Sequence, residues 1–119
     1  MILPGLAVLT LASGAVLGQT APAVATVGYA CAHGKSLSAQ YFQGPSRTAA
    51  DGRPIPGGRV VLTLDDGRRL TLPQTLSGSG IRYANADETV VFWSRGDTAF
   101  IEEGPGHAVS YEGCRATKK

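Results

Sequence analysis

The chain has 119 residues, and its eleven lysines and arginines against nine acidic residues give a formal net charge of +2. This length fits one domain. A basic excess this small argues against the clustered basic stripe of a nucleic-acid-binding protein, so we predict no nucleic-acid partner. It suits docking onto an acidic cleft of another protein.

The first 27 residues carry no charge and are largely apolar. Near their end they contain Ala23-Val24-Ala25, which is typical of the small-residue cleavage site of a secretory signal. We predict a signal peptide over residues 1–25 and an exported mature domain over residues 26–119. A transmembrane anchor is the alternative, but glycines and prolines interrupt the apolar run before about 20 clean residues accumulate.

The signal region contains a stretch close to a lipoprotein signal, Leu11-Ala12-Ser13-Gly14-Ala15. Lipid attachment requires a cysteine at the last of these positions, and Ala15 occupies it. We therefore expect no lipid anchor and a soluble exported protein.

The two cysteines, Cys31 and Cys114, lie near the two ends of the mature domain. In an oxidising compartment their default state is a disulfide, which would stabilise so small a domain by about 4–5 kcal/mol. A metal site with His33 and His107 is the rival interpretation, but no pair has the spacing of zinc ligands. We predict neither a metal nor a cofactor.

Strand signals dominate the mature domain, and no segment indicates a helix. Asp65-Asp66-Gly67 is typical of a hairpin turn. The strand that follows this turn is expected to end at Pro73. The range 43–58 is rich in Gly, Pro and Arg without periodicity, which predicts a mobile surface loop with little of the core. The predicted strands cover residues 27–31, 36–42, 59–64, 68–72, 80–84, 89–94, 98–102 and 108–111.

Eight short strands with short connections indicate an all-β domain, either a small antiparallel barrel or a sandwich. A barrel leaves no exposed edge, and a disulfide between its first and last strands would close it. We therefore predict a small eight-stranded antiparallel β-barrel closed by one disulfide.

The hairpin that joins residues 77–83 to residues 92–96 suggests where a functional site lies. If its loop is centred on Asp87, paired residue numbers sum to 174, and the pairs share one face because side chains alternate along a strand. That face is mostly apolar and should point into the core, with the last pair at the mouth of the barrel. The predicted pairs are Tyr83–Val91, Ile81–Trp93 and Ser79–Arg95.

"SGSGIRY" (77–83), "FWSRG" (92–96) and "TAFIEE" (98–103), framed by "YAC" (29–31) and "YEGC" (111–114), resemble the MliC/PliC family of bacterial inhibitors of c-type lysozyme. The resemblance runs from Val27 to Cys114. It implies an eight-stranded antiparallel barrel and a periplasmic inhibitor rather than an enzyme. The lysozyme-binding residues it implies are Ser79, Arg95, Ser77, Gly80, Tyr83 and Ser94.

Family members insert a Ser and a Lys into the lysozyme cleft, and Ser79 and Arg95 stand at those two positions. The resemblance therefore implies that both side chains reach the catalytic carboxylates of the lysozyme. Arg95 keeps the charge and can bind a carboxylate through two hydrogen bonds, although Arg and Lys are not interchangeable.

Other interpretations of the same residues have less support. Ser79 with His107 and an aspartate could form a nucleophilic set, but "SGSG" is not the Gly-x-Ser-x-Gly elbow of hydrolases. Tyr83 and Trp93 are expected in the core. Arg82 is expected on the outer face, where it would pack against Phe92 as a cation–π pair. A small exported β-barrel that binds a ligand without inhibiting lysozyme remains the alternative function, and the sequence is also compatible with a homodimer.

Overall fold

The structure of the chain, a computed structural model, describes residues 22–117 and contains ten β-strands and a single 3-10 turn. The predicted signal peptide, including Ala15, lies almost wholly outside the described residues, and the first strand begins at Ala25. No helix within the described range is long and apolar enough to span a membrane. The strands are β1 (Ala25–Ala30), β2 (Ser36–Phe42), β3 (Arg47–Thr48), β4 (Pro54–Ile55), β5 (Arg59–Leu64), β6 (Arg69–Thr75), β7 (Ile81–Ala84), β8 (Val90–Arg95), β9 (Thr98–Glu103) and β10 (Ala108–Ala116).

Eight of these strands form a closed antiparallel barrel in the order β1-β10-β9-β8-β7-β6-β5-β2. This confirms the predicted barrel and decides against the sandwich. Closure pairs every barrel strand on both sides, which removes exposed edges. We call the end of the barrel with the β8–β9 turn the mouth, and the end with the β5–β6 and β9–β10 turns the far end.

Alternating side chains fill the barrel interior. In β5, Val60, Leu62 and Leu64 are at most 3% exposed and point inward at every second position. Phe92 is fully buried at the centre of the aromatic residues, with its ring 6.3 Å from that of Tyr29. Burying an aromatic side chain of this kind contributes about 2 kcal/mol, so the alternation that specifies the strands also supplies the core.

The predicted disulfide is confirmed, since Cys31 and Cys114 are bonded with a sulfur–sulfur distance of 2.10 Å. The ladder between β1 and β10 pairs Tyr29 with Ala116 and Ala30 with Arg115. Because this ladder is short, the covalent bond beside it holds together the first and last strands of the barrel.

Charged and hydroxyl side chains tie the loops of the far end together. Arg68 donates hydrogen bonds to both carboxylate oxygens of Glu103, at 2.8 and 3.1 Å. Tyr111 donates to Asp65 at 2.7 Å. Burial, followed by the Asp65 carboxylate, raises the pKa of Tyr111 to about 12, and the bonding partners lower the pKa values of Asp65 and Glu103. These contacts join the β5–β6 turn to β9 and β10.

The expected end of β6 at Pro73 was wrong, and the predicted loop over residues 43–58 contains a short hairpin. Strand β6 does not stop at Pro73 but continues to Thr75. The ladder between β6 and β7 begins at Gln74, the residue after the proline, so it requires no N–H group from Pro73. Within the predicted surface loop of residues 43–58, β3 and β4 form a small hairpin. Residues 43–57 are nonetheless all at least partly exposed, so they add little to the core.

Candidate functional site: the mouth of the barrel

The β7–β8 hairpin has a register one residue away from the predicted one. The structure pairs Ile81 with Ser94, so paired residue numbers sum to 175, and the predicted pairs summing to 174 were wrong. The loop closes between Asn85 and Val90, where the Asn85 side chain also accepts a hydrogen bond from the Val90 amide at 3.0 Å. This leaves four residues in the loop instead of a loop centred on one residue. A slip of one residue turns each side chain of one strand to the opposite face relative to its partner strand.

As a result, Trp93 lies on the outer face of the barrel and not in the core. It pairs with Arg82 on β7, whose guanidinium lies 5.6 Å from the centre of its ring, and it stacks on Phe100 of β9 at 6.1 Å. The predicted cation–π contact of Arg82 exists, but its aromatic partner is Trp93, because Phe92 is buried inside.

Ser79 lies in the bend that precedes β7, and it is exposed at the mouth. The Ser77 hydroxyl fixes this bend, since it donates to the Ser79 carbonyl at 2.7 Å and accepts from the Ser79 amide at 3.2 Å. Gly80 follows with φ +71°, a conformation that residues with a side chain rarely adopt. The local sequence therefore shapes a tight loop that presents Ser79.

Arg95 is the last residue of β8 and is exposed beside this loop. Its side chain forms no hydrogen bond or ion pair with any residue between 22 and 117. A methyl group built on Gly80 would lie 3.3 Å from the Arg95 Cβ atom and 2.9 Å from the Ser94 carbonyl oxygen. Gly80, not Ser79, is therefore the direct neighbour of Arg95, and Ser79 lies one residue further along the loop.

Tyr83 and Ser94 are buried beneath the mouth, at 4% and 7% exposure. Ser94 accepts a hydrogen bond from the Tyr41 hydroxyl at 3.2 Å, and the Tyr41 and Tyr29 hydroxyls lie 2.7 Å apart. Burial raises the pKa of Tyr83 to about 12 and that of Tyr41 higher still, so both phenols are neutral near pH 7. These residues support the mouth from inside.

A cavity of about 250 Å³ opens at the mouth above this chain of hydroxyls. This cavity was not predicted from the sequence, and the signal that could have revealed it is the series of small residues along β1 and at Ala116. Ile81, at 40% exposure, forms part of its rim. Its apolar wall is formed by Ala25, Val27, Ile81 and Ala116, with Tyr29 and Tyr41.

The residues of the catalytic and metal alternatives are not brought together. His107 contacts the backbone carbonyl of Glu88 at the far end of the barrel, whereas Ser79 lies at the mouth. Cys31 is bonded to Cys114, so neither is available as a thiolate ligand.

Comparison with known proteins points to a family of lysozyme inhibitors. A family model described as membrane-bound lysozyme-inhibitor of c-type lysozyme (MliC) matches residues 29–109, which is more than half of the chain. The protein named membrane-bound lysozyme inhibitor of C-type lysozyme from Yersinia enterocolitica serotype O:8 / biotype 1B (strain NCTC 13174 / 8081) is 50% identical over 44 residues, covering 37% of this chain and 35% of that protein. The matched stretch thus spans about a third of the relative's length, and no solved structure matches. From the family match over most of its barrel, we conclude that this chain belongs to the MliC family.

Proposed function

We propose that this chain inhibits c-type lysozyme by placing the mouth of its barrel over the lysozyme active-site cleft. A retaining glycosidase of this class has a carboxylic acid and a carboxylate flanking the bond to be cleaved. In the proposed complex, the Arg95 guanidinium and the Ser79 hydroxyl face those two groups. They occupy the position of the substrate, so the inhibitor blocks access rather than altering chemistry.

One observation carries the proposal: in a member of this family, Arg95 is exposed at the mouth without a partner among the described residues. A guanidinium that meets a carboxylate in a cleft with little water forms the stronger, charge-assisted kind of hydrogen bond. Because no internal ion pair has to be broken, Arg95 is ready to bind.

The other candidate residues have different proposed roles. Ser77 and Gly80 shape the loop and lie close enough to the surface for their backbone to contact the lysozyme. Tyr83 and Ser94 are buried, so we assign them a positioning role beneath β7 and β8 in place of direct side-chain contact.

The location of the protein is part of the proposal. We propose export to the periplasm with removal of residues 1–25, leaving a soluble domain of residues 26–119 without a lipid. The apolar start of the chain and the disulfide support export, because disulfides persist in oxidising compartments. The mass of the protein recovered from a periplasmic extract tests this, since a retained signal or an added lipid would change it.

The inhibition itself can be tested by the clearing of bacterial cell walls by a c-type lysozyme at increasing inhibitor concentration. Arg95→Ala should weaken inhibition by about 2–4 kcal/mol, or roughly 30- to 900-fold, as expected when one partner of a desolvated charge pair is removed. Ser79→Ala should cost less, about 1–2 kcal/mol, because it removes a neutral hydroxyl. Arg95→Lys should retain most of the inhibition.

Arg69→Ala is the matched control, because Arg69 is also exposed and without a partner among the described residues but lies at the far end of the barrel. It should inhibit like the parent. An Arg95→Ala variant that inhibits as well as Arg69→Ala would contradict the proposal.

The apolar cavity at the mouth favours a second candidate function, the binding of a small apolar ligand without inhibition of lysozyme. Its walls and the hydroxyl groups below them would suit a ligand with one polar end. A parent protein that leaves lysozyme activity unchanged but shows a fluorescence change with apolar probes, lost on Ile81→Asp, would favour this function.

A further inference from the structure

The strand register places a second arginine near Arg95 on the outer face of the barrel. Arg95 pairs with Thr98 across the β8–β9 hairpin, and Thr98 pairs with Arg115 on β10. Cross-strand partners share a face, so these three side chains form a row beside the mouth. Two strand spacings separate the Cα atoms of the two arginines, about 10 Å, and both residues are exposed.

Most arginines in the described part of the chain have a partner. Arg53 and Arg82 pair with Asp51 and Glu88, and Arg68 pairs with two carboxylates. Two further arginines are used by other contacts, namely Arg47 with the Gln74 carbonyl oxygen and Arg59 with the Phe42 ring.

Within residues 22–117, the side chains of three arginines form no hydrogen bond, ion pair or cation–π contact: Arg69, Arg95 and Arg115. Two of these three lie in the same row at the mouth. Asp97, the acidic residue of the adjacent β8–β9 turn, is exposed and forms an ion pair with neither of them. The chain thus leaves two exposed positive charges within two strand spacings of each other without an ion pair among the described residues, so a partner that supplies negative charge can bind both.

The row is held in place by the backbone around it. The Thr98 hydroxyl donates to the Arg95 carbonyl at 2.9 Å, and the Ala116 amide donates to the Asp97 carbonyl at 2.8 Å. A register shift in β10 before Cys114, with Gly113 at φ +59°, brings Arg115 opposite Thr98. Only the two guanidinium side chains therefore have to become ordered when a partner binds, which limits the entropic cost.

We propose that Arg115 is a second cationic contact for lysozyme, binding carboxylate groups on the rim of the same cleft that Arg95 enters. The inference rests on the proposed function and adds a residue to it. Arg95 would meet the catalytic carboxylates, and Arg115, two strands away, would meet acidic groups outside the catalytic centre. A contact at the rim remains more hydrated than one inside the cleft, so it should be weaker and more sensitive to salt.

The test compares the dissociation constants of the parent, Arg115→Ala and Arg69→Ala for egg-white lysozyme of the c type. Both variants remove one charge, so a difference between them reports the position of the charge and not the net charge. At about 20 mM salt, Arg115→Ala should bind roughly three- to tenfold more weakly than Arg69→Ala. Near 1 M salt the difference should largely disappear.

Two further measurements separate the outcomes. Arg115→Lys should recover most of the affinity, and thermal unfolding of Arg115→Ala should match the parent, since the side chain is exposed and forms no hydrogen bond or ion pair with a described residue. If Arg115→Ala binds like Arg69→Ala while Arg95→Ala loses affinity, the inference about Arg115 is overturned and the proposed function stands. If the parent itself does not bind lysozyme, both are overturned.

Discussion

Replacing Gly80 by alanine probes how the loop that presents Ser79 is built. Gly80 has φ +71°, where an L residue costs about 1–2 kcal/mol. The new methyl group would also lie 2.9 Å from the Ser94 carbonyl oxygen, which forces a local shift and adds about 1–2 kcal/mol. We therefore predict that Gly80→Ala lowers the free energy of unfolding by about 2–4 kcal/mol.

The same substitution should also weaken inhibition. The added methyl group would contact the Cβ and Cγ atoms of Arg95, at 3.3 and 3.6 Å, so any shift that relieves the strain moves the residue proposed to enter the cleft. Chemical denaturation measures the loss of stability, and the clearing assay on the folded variant measures the loss of inhibition.

Gly78→Ala is the matched control in the same loop. A methyl group on Gly78 would meet nothing within 4 Å, and its backbone is not in the left-handed region. We expect this variant to stay within about 0.5 kcal/mol of the parent. The reasoning would be refuted if Gly78→Ala and Gly80→Ala were equal in both stability and inhibition.

Three further predictions concern the barrel. Replacing Cys31 and Cys114 together by serine should lower the free energy of unfolding by about 4–5 kcal/mol in denaturant titrations, and an unchanged midpoint would contradict this. Because burial raises the pKa of Tyr83 to about 12 from an unfolded value near 10, the folded state holds its proton more tightly, so the contribution of Tyr83 to stability should be constant up to about pH 10 and be lost above it. A thermal midpoint that rose from pH 10 to pH 11 would refute that sign. Replacing residues 47–55 by a short Gly-Ser linker should leave unfolding cooperative, since none of these residues is buried. A broad, non-cooperative transition would show that the β3–β4 hairpin is required.

The barrel could be predicted because strand alternation and turn residues are local signals. Arg59–Leu64 reads as a strand from its own residues, and its turn at Gly67, with φ +95°, follows from the Asp-Gly pair. The two cysteines near the chain ends likewise indicated which strands close the barrel.

The register of the β7–β8 hairpin could not be read in the same way. It depends on whether the loop has an odd or even number of residues, which is decided by the hydrogen bonds of Asn85 and by Glu88 at φ +59°. Both registers place apolar residues on the inner face, so the pattern alone did not distinguish them. The choice moved Trp93 outside and made Gly80 the neighbour of Arg95.

The most direct test of the central proposal is competition between this chain and a cleft-binding oligosaccharide of N-acetylglucosamine for a c-type lysozyme. Binding of the chain is followed at increasing sugar concentration. If the mouth of the barrel occupies the cleft, the apparent dissociation constant should rise in proportion to the sugar concentration without a plateau. A dissociation constant that does not change with the sugar would contradict binding at the active site.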